Sequence, residues 1–202
     1  ARADAFIQGL LPHVVEDSVE KEGFFLRSLV NDERAWAEVF GISTDETGLT
    51  VERNVFRYRP TPVTVRAAGF VPLGDILRVI LAGARVGARV SVSLTDPLPD
   101  GVLKLLRQGS SNFAGLGDYV VETEREFVSR VSGNAPGRIR LLGSRSDALS
   151  VAFDGAPEVA IYGHEVTESG RVEMLPFVVE QAVSLTAHRF GALDPRFRDL
   201  AI

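Results

Sequence analysis

From Val63 onward the chain alternates short β-branched runs with amphipathic stretches, and this alternation restricts the fold more than any other feature. Val63-Thr-Val-Arg66 reads as a strand, residues 72–84 as a helix carrying Ile76, Leu77, Ile80 and Leu81, and Val90-Ser-Val-Ser-Leu94 as a second strand. A helix joining two such runs predicts a parallel crossover. The pattern then repeats, with a helix over 101–108, a loop over 110–117, a strand at Tyr119-Val-Val121 and a helix over 124–131. Arg138-Ile-Arg-Leu-Leu-Gly143 and Val159-Ala-Ile-Tyr162 add two strands, separated by a stretch at 148–153 too short to assign from pattern. The expectation is an α/β fold with a Rossmann-like, doubly wound, mostly parallel sheet.

The flanks have other signatures. Residues 1–41 read as a helical lead-in, with Phe6, Ile7, Leu10, Leu11, Val14 and Val15 at helical spacing and Pro12 marking a start or a kink. A second helix has Asp17 or Ser18 as its cap, Glu20 and Glu22 in its first turn, and Gly41 as its stop. Ser43-Thr-Asp-Glu-Thr-Gly48 is a polar turn. It leads to Glu52-Arg-Asn-Val-Phe-Arg-Tyr-Arg-Pro60, where an extended chain places Val55 and Arg57 opposite Phe56 and Tyr58. The three arginines of this run read as a solvated edge paired with nearby acids. Residues 42–161 thus form the body, and residues 162–174 have the composition of a β-hairpin flap turning at Glu168-Ser169-Gly170.

Composition bears mainly on chemistry. The 202 residues are 45% hydrophobic and 24% charged, enough to fill one core, and no apolar run reaches the roughly 20 residues a bilayer crossing needs. A net charge of −5 argues against a nucleic-acid surface. With no cysteine anywhere, disulfides, thiolate metal sites and a cysteine nucleophile are all excluded. The chain opens on Ala-Arg-Ala-Asp without a secretion signal, so a piece of a longer cytoplasmic polypeptide is expected.

Gly115-Leu-Gly117 lacks the third glycine of a dinucleotide fingerprint and is followed by Asp118, which would repel a pyrophosphate. Gly133-Asn-Ala-Pro-Gly137 precedes its strand and is a turn. His13, His164 and His188 form no i, i+4 pair, so no metal site is expected. No G-x-S-x-G elbow appears.

Residues 175–191 form the most unusual stretch. Pro176 suits the first turn of a helix and Gly191 its stop. Phe177, Val178, Val179, Ala182, Val183, Leu185, Ala187 and Phe190 would make that helix apolar nearly all round. It is either the last core element of its own domain or a plug for a neighbour. Leu-Pro-Phe-Val-Val-Glu-Gln-Ala-Val-Ser-Leu-Thr-Ala-His-Arg-Phe-Gly over these positions resembles the C-terminal motif of the long forms of proline utilization A. Those bacterial enzymes join a flavin proline dehydrogenase to an NAD-dependent glutamate-semialdehyde dehydrogenase. The Glu52–Pro60 run resembles the opening of the same family's extra C-terminal domain.

The resemblance implies a non-catalytic domain akin to the cofactor domain of aldehyde dehydrogenases. Aldehyde dehydrogenases place a Gly-Ser near the dinucleotide where this chain has Gly143-Ser144, but a plain strand exit is the favoured reading. The implied docking residues are Leu175, Pro176, Phe177, Glu180, Gln181, His188, Arg189 and Phe190, followed by a tail over 192–202. The implied partner is the aldehyde dehydrogenase domain of the same polypeptide, with homo-oligomer contacts left open and neither nucleic acid nor a membrane span. FAD and NAD belong to the parent enzyme, with no cofactor in this domain. Two other readings stay open: a free-standing NAD-binding regulatory module, and an unrelated small α/β enzyme.

Overall fold

A computed structural model describes residues 2–15, 19–49, 51–109, 115–143 and 147–187 of the chain. Helices α1 (Arg2–Val15) and α2 (Val19–Ala35) open it, and Pro12 lies within α1 rather than at its start. A π-helical turn, Trp36–Phe40, continues α2 and is closed by Gly41, whose N–H donates to the Trp36 carbonyl at 2.8 Å. The proposed caps Asp17 and Ser18 lie outside the described residues.

The central alternation folds as its periodicity predicts. After β1 (Ser43–Thr44) and β2 (Glu52–Pro60) come β3 (Val63–Ala67), α3 (Leu73–Arg85), β4 (Val90–Leu94), α4 (Asp100–Gln108) and β5 (Tyr119–Val121). Then follow α5 (Glu124–Gly133), β6 (Arg138–Leu142), α6 (Asp147–Ala152) and β7 (Ala160–Tyr162). Strands β3 to β7 make one parallel five-stranded sheet in the order β5-β4-β3-β6-β7. The order reverses between β3 and β6, which defines a doubly wound sheet.

Helices cover both faces. On one, α3 buries Ile76, Leu77, Val79 and Ile80 in a core shared with β3, β4 and the apolar sides of α1, α2 and α4. That second layer explains why α3 is apolar nearly all round. On the other face, Phe127 and Val131 of α5 and Leu149 of α6 close over Ile139 and Leu141 of β6. Thr123 starts α5 with a reciprocal capping box: Glu126 N–H donates to Thr123 Oγ1 at 3.3 Å, and Thr123 N–H donates to Glu126 Oε2 at 2.8 Å.

Two expectations are corrected. Residues 162–174 are not a hairpin: the chain leaves β7 irregularly and forms a short helix, α7 (Gly170–Glu173). Side chains supply the backbone bonds that a hairpin ladder would have made. Arg140 Nη1 donates to the carbonyls of Tyr162 and His164, Arg78 Nε to that of Thr167, and Asn31 Nδ2 to that of Glu168.

Nor do residues 175–187 form the expected helix. A 3-10 turn, Leu175–Phe177, is followed by a nine-residue strand, β8 (Val178–Thr186), in a separate antiparallel sheet of order β1-β2-β8. Pro176 opens a helical turn as its chemistry favours, but that turn stops after three residues. Val178, Val179, Val183 and Thr186 are β-branched and fit a strand, and β2 supplies a partner through the register Glu52↔Thr186 to Pro60↔Val178. The proposed stop Gly191 lies outside the described residues.

Candidate functional site

The residues expected to dock divide three ways. Pro176 and Phe177 belong to the chain's own core: both are buried, and Phe177 packs so close to Gly83 on α3 that a Cβ there would lie 2.7 Å from the ring. This corrects their assignment to a docking face. Leu175 is 48% exposed, and Glu180 and Gln181 are exposed on β8, so these three remain available. His188, Arg189 and Phe190 lie outside the described residues. Arg138 sets the direction in which β8 departs, since its Nη1 donates to the carbonyls of Pro176 at 2.8 Å and Val178 at 2.6 Å.

Together β2 and β8 form a ribbon with chemically distinct faces. Val55, Arg57 and Arg59 of β2 pair with Val183, Gln181 and Val179 of β8 on one face. Arg57 Nε donates to the neutral Gln181 Oε1 at 2.8 Å rather than to a carboxylate, which departs from the expected acid pairing. On the other face Phe56, 37% exposed, meets Tyr58 edge-on at 5.3 Å, and Tyr58 in turn meets Phe40 at 5.0 Å. Ser184 Oγ donates to Glu52 Oε1 at 3.1 Å and also contacts Asn54 Oδ1. Among the described residues no strand pairs with the outer side of β8.

A cleft of about 490 Å³ lies at the C-terminal ends of β3, β6 and β7, bounded by Phe70, Val71, Asp75, Gly143, His164 and Glu165. This is where open α/β sheets hold ligands. Its residues have the wrong character for a pyrophosphate. The turn after β3 is Ala68-Gly69-Phe70-Val71-Pro72, with a single glycine, and Asp75 puts a carboxylate in the first turn of α3 where an anion would sit. Gly143 closes the space between β3 and β6. Its φ is +67°, and a Cβ would stand 2.6 Å from Ala68 O and 2.5 Å from Val71 Cγ2. This glycine is a close-packed strand exit, and Ser144 lies outside the described residues.

Burial and the nearby Arg140 cation hold the His164 imidazole below its ordinary pKa, and Glu173 only partly offsets them, so the ring is neutral at neutral pH. Its Nε2 lies 3.7 Å from Glu173 Oε1. The cleft is lined by the carboxylates of Asp75 and Glu165, a neutral imidazole and the fully exposed ring of Phe70. Among the described residues no three His, Asp or Glu side chains gather to hold a metal, and no helix is long and apolar enough to cross a membrane.

Sequence reasoning missed three fully buried arginines that hold the layers together. Arg66 of β3 donates to Ser93 Oγ at 2.9 Å, the Glu122 carbonyl at 3.1 Å and Glu124 Oε2 at 3.1 Å, tying the sheet to the start of α5. Arg78 of α3 makes a two-pronged pair with Asp32 of α2, at 2.7 and 2.8 Å. Arg140 of β6 pairs with Glu173 of α7 at 2.7 Å. The available signal was a cation inside an apolar run, as in Val63-Thr-Val-Arg66 or Arg138-Ile-Arg140-Leu-Leu: a charge at an inward position has to find an acid.

No family model and no curated protein matches this sequence. Solved structures do. A proline utilization A (PutA) from Corynebacterium freiburgense is 29% identical over 84% of this chain, with a TM-score of 0.56. The PutA of Bradyrhizobium japonicum shows the same fold at 19% identity over 77% of the chain, with a TM-score of 0.53. This chain spans only 14% and 17% of the length of those proteins. Its parallel sheet, covering helices and small antiparallel sheet are thus similar to one portion of much longer PutA chains.

Proposed function

We propose that this chain is an accessory portion of a bifunctional enzyme that oxidises proline to glutamate, and that it serves a neighbouring dehydrogenase rather than a substrate of its own. The observation that carries this reading is the likeness to one PutA, 29% identical over 84% of this chain while spanning 14% of that protein. Two features support it. The chain has no cysteine to attack an aldehyde, and its switch-point cleft meets an anion with Asp75 and the packed Gly143. In this reading FAD and NAD bind elsewhere on the parent.

The partner is then the aldehyde dehydrogenase domain of the same polypeptide, and the β2–β8 ribbon with Leu175 is the covering surface. Keeping a reactive semialdehyde away from bulk water, and the neighbouring site rigid, is the physical benefit of such a cover.

Deleting the chain from Leu175 would remove the buried Phe177 and confuse docking with unfolding. Acidic substitution of two exposed positions, Leu175→Asp with Ala182→Asp, is the cleaner variant in the full-length enzyme. Proline oxidation should be retained while semialdehyde oxidation falls and intermediate escapes into solution. Unchanged coupling of the two reactions would overturn the reading. Calorimetry of the 202-residue chain with NAD tests the regulatory-module alternative, for which micromolar binding would speak.

A further inference from the structure

From Glu180 to Thr186 no strand among the described residues takes the outer side of β8. Ala187 N–H donates to the Val51 carbonyl at 2.8 Å and Thr61 N–H donates to the Phe177 carbonyl at 2.9 Å. Both bonds continue the register that pairs Glu52 with Thr186 and Pro60 with Val178. Backbone groups of the odd-numbered residues of β8 therefore face β2. Those of Glu180, Ala182, Ser184 and Thr186 face away, because the direction alternates along an antiparallel strand, while the N–H of Val178 at the strand's start donates to the Leu175 carbonyl and its carbonyl accepts from Arg138 Nη1.

Exposed edges are normally blunted by proline, lysine, bulges or short length. β8 has none of these: the strand is nine residues long, its register is unbroken, and Glu180 is its one charge. Such an edge calls for another strand.

We propose that the free chain closes this edge with a second copy of itself, β8 pairing antiparallel with the partner's β8 about a two-fold axis at Ala182. The two three-stranded sheets then become one continuous sheet. The sequence of β8 is self-complementary in this register. Ala182 faces Ala182 of the partner subunit, Glu180 faces the partner's Ser184, and Val179 faces the partner's Leu185, so no like charges are opposed. Phe56 lies beside Ala182 in the β2–β8 pairing, so the small alanines would lie between the two phenylalanines in one apolar row. Shifting the register by one residue would turn Val179 and Leu185 to opposite faces. This inference rests on the edge alone and not on the role proposed in the parent enzyme, where a neighbouring strand can take the same backbone groups.

Sedimentation equilibrium of the 202-residue chain should give twice its 21.9 kDa. Ala182→Pro removes an outward N–H and should give a monomer with an unchanged circular dichroism spectrum. Because that variant can also misfold, cross-linking is the second measurement. The chain lacks cysteine, so one introduced thiol reports alone. Paired Cα atoms about 5.5 Å apart lie within disulfide reach. Ala182→Cys should cross-link to itself at least about ten-fold faster than Ser184→Cys, since a disulfide bond and its rate track proximity. A monomeric wild-type chain would overturn the proposal, as would equal cross-linking at the two positions or a folded, dimeric Ala182→Pro variant.

Discussion

Arg140 Nε donates to Glu173 Oε1 at 2.7 Å with neither side chain exposed, and this pair fastens the parallel sheet to α7 beyond the β7 exit. The same guanidinium holds the carbonyls of Tyr162 and His164. Replacing Arg140 with Met would leave Glu173 as an uncompensated buried charge, a change that costs about 3–5 kcal/mol. Urea denaturation should show that loss, and Glu173→Gln should do less harm because a Gln oxygen can still accept from Arg140 Nε while the guanidinium keeps the carbonyls of Leu141, Tyr162 and His164. A cost below about 1 kcal/mol for Arg140→Met would contradict the clamp.

Burial pushes the Asp32 carboxyl up to about 6 from 3.8, although Arg78 pulls the other way. Proton linkage gives the sign: between about 6 and 3.8 the folded chain holds a proton that the unfolded chain lacks. This group's contribution to stability is therefore greatest below that window and is lost as pH rises through about 6. Denaturation of wild type and Asp32→Asn at pH 5 and pH 7 should show the wild type gaining relative to the variant at the lower pH. A gap that is constant, or that moves the other way, would reverse this account of Asp32.

Leu175 and Phe177 are two residues apart yet differ in role. Phe177 is fully buried against α3, so Phe177→Ala should cost about 3–5 kcal/mol through the cavity it leaves. Leu175 is 48% exposed, and Leu175→Ala should change stability by no more than about 0.5 kcal/mol. Equal losses in a thermal melt would show that both belong to the core.

Gly143 and Gly87 both have positive φ, +67° and +76°, but only Gly143 is crowded, since nothing lies within 4 Å of a Cβ at Gly87. Alanine at either position brings backbone strain of about 1–3 kcal/mol. Gly143→Ala must also displace Val71 and the Ala68 carbonyl, so it should be clearly the more damaging of the two by chemical denaturation. Comparable effects would show that the β3 exit yields easily.

The elements that were legible are those whose pattern is local. β4 and β5 occupy the positions read from Val90-Ser-Val-Ser-Leu94 and Tyr119-Val-Val121, and α3 begins one residue after its expected start at Pro72. The docking stretch was misread because a short, dense apolar run has no decisive period: Val178 to Thr186 satisfies a strand as well as a helix. What chose the strand was β2, whose Arg57 meets Gln181 across 124 residues of chain. The hairpin at residues 162–174 failed for a similar reason, since the donors that hold those carbonyls come from Arg78 and Arg140, far away in sequence.

The sequence by itself determined the alternating α/β body and the absence of thiol chemistry, because β-branched runs, amphipathic spacing and residue counts act locally or not at all. Only the tertiary structure decided that Phe177 is core, that β8 is the edge strand of its sheet among the described residues, and that three buried arginines tie the layers together. Those outcomes depend on which distant groups arrive beside a side chain or a backbone N–H. Burial and hydrogen-bond satisfaction are set by such neighbours, which local pattern does not encode.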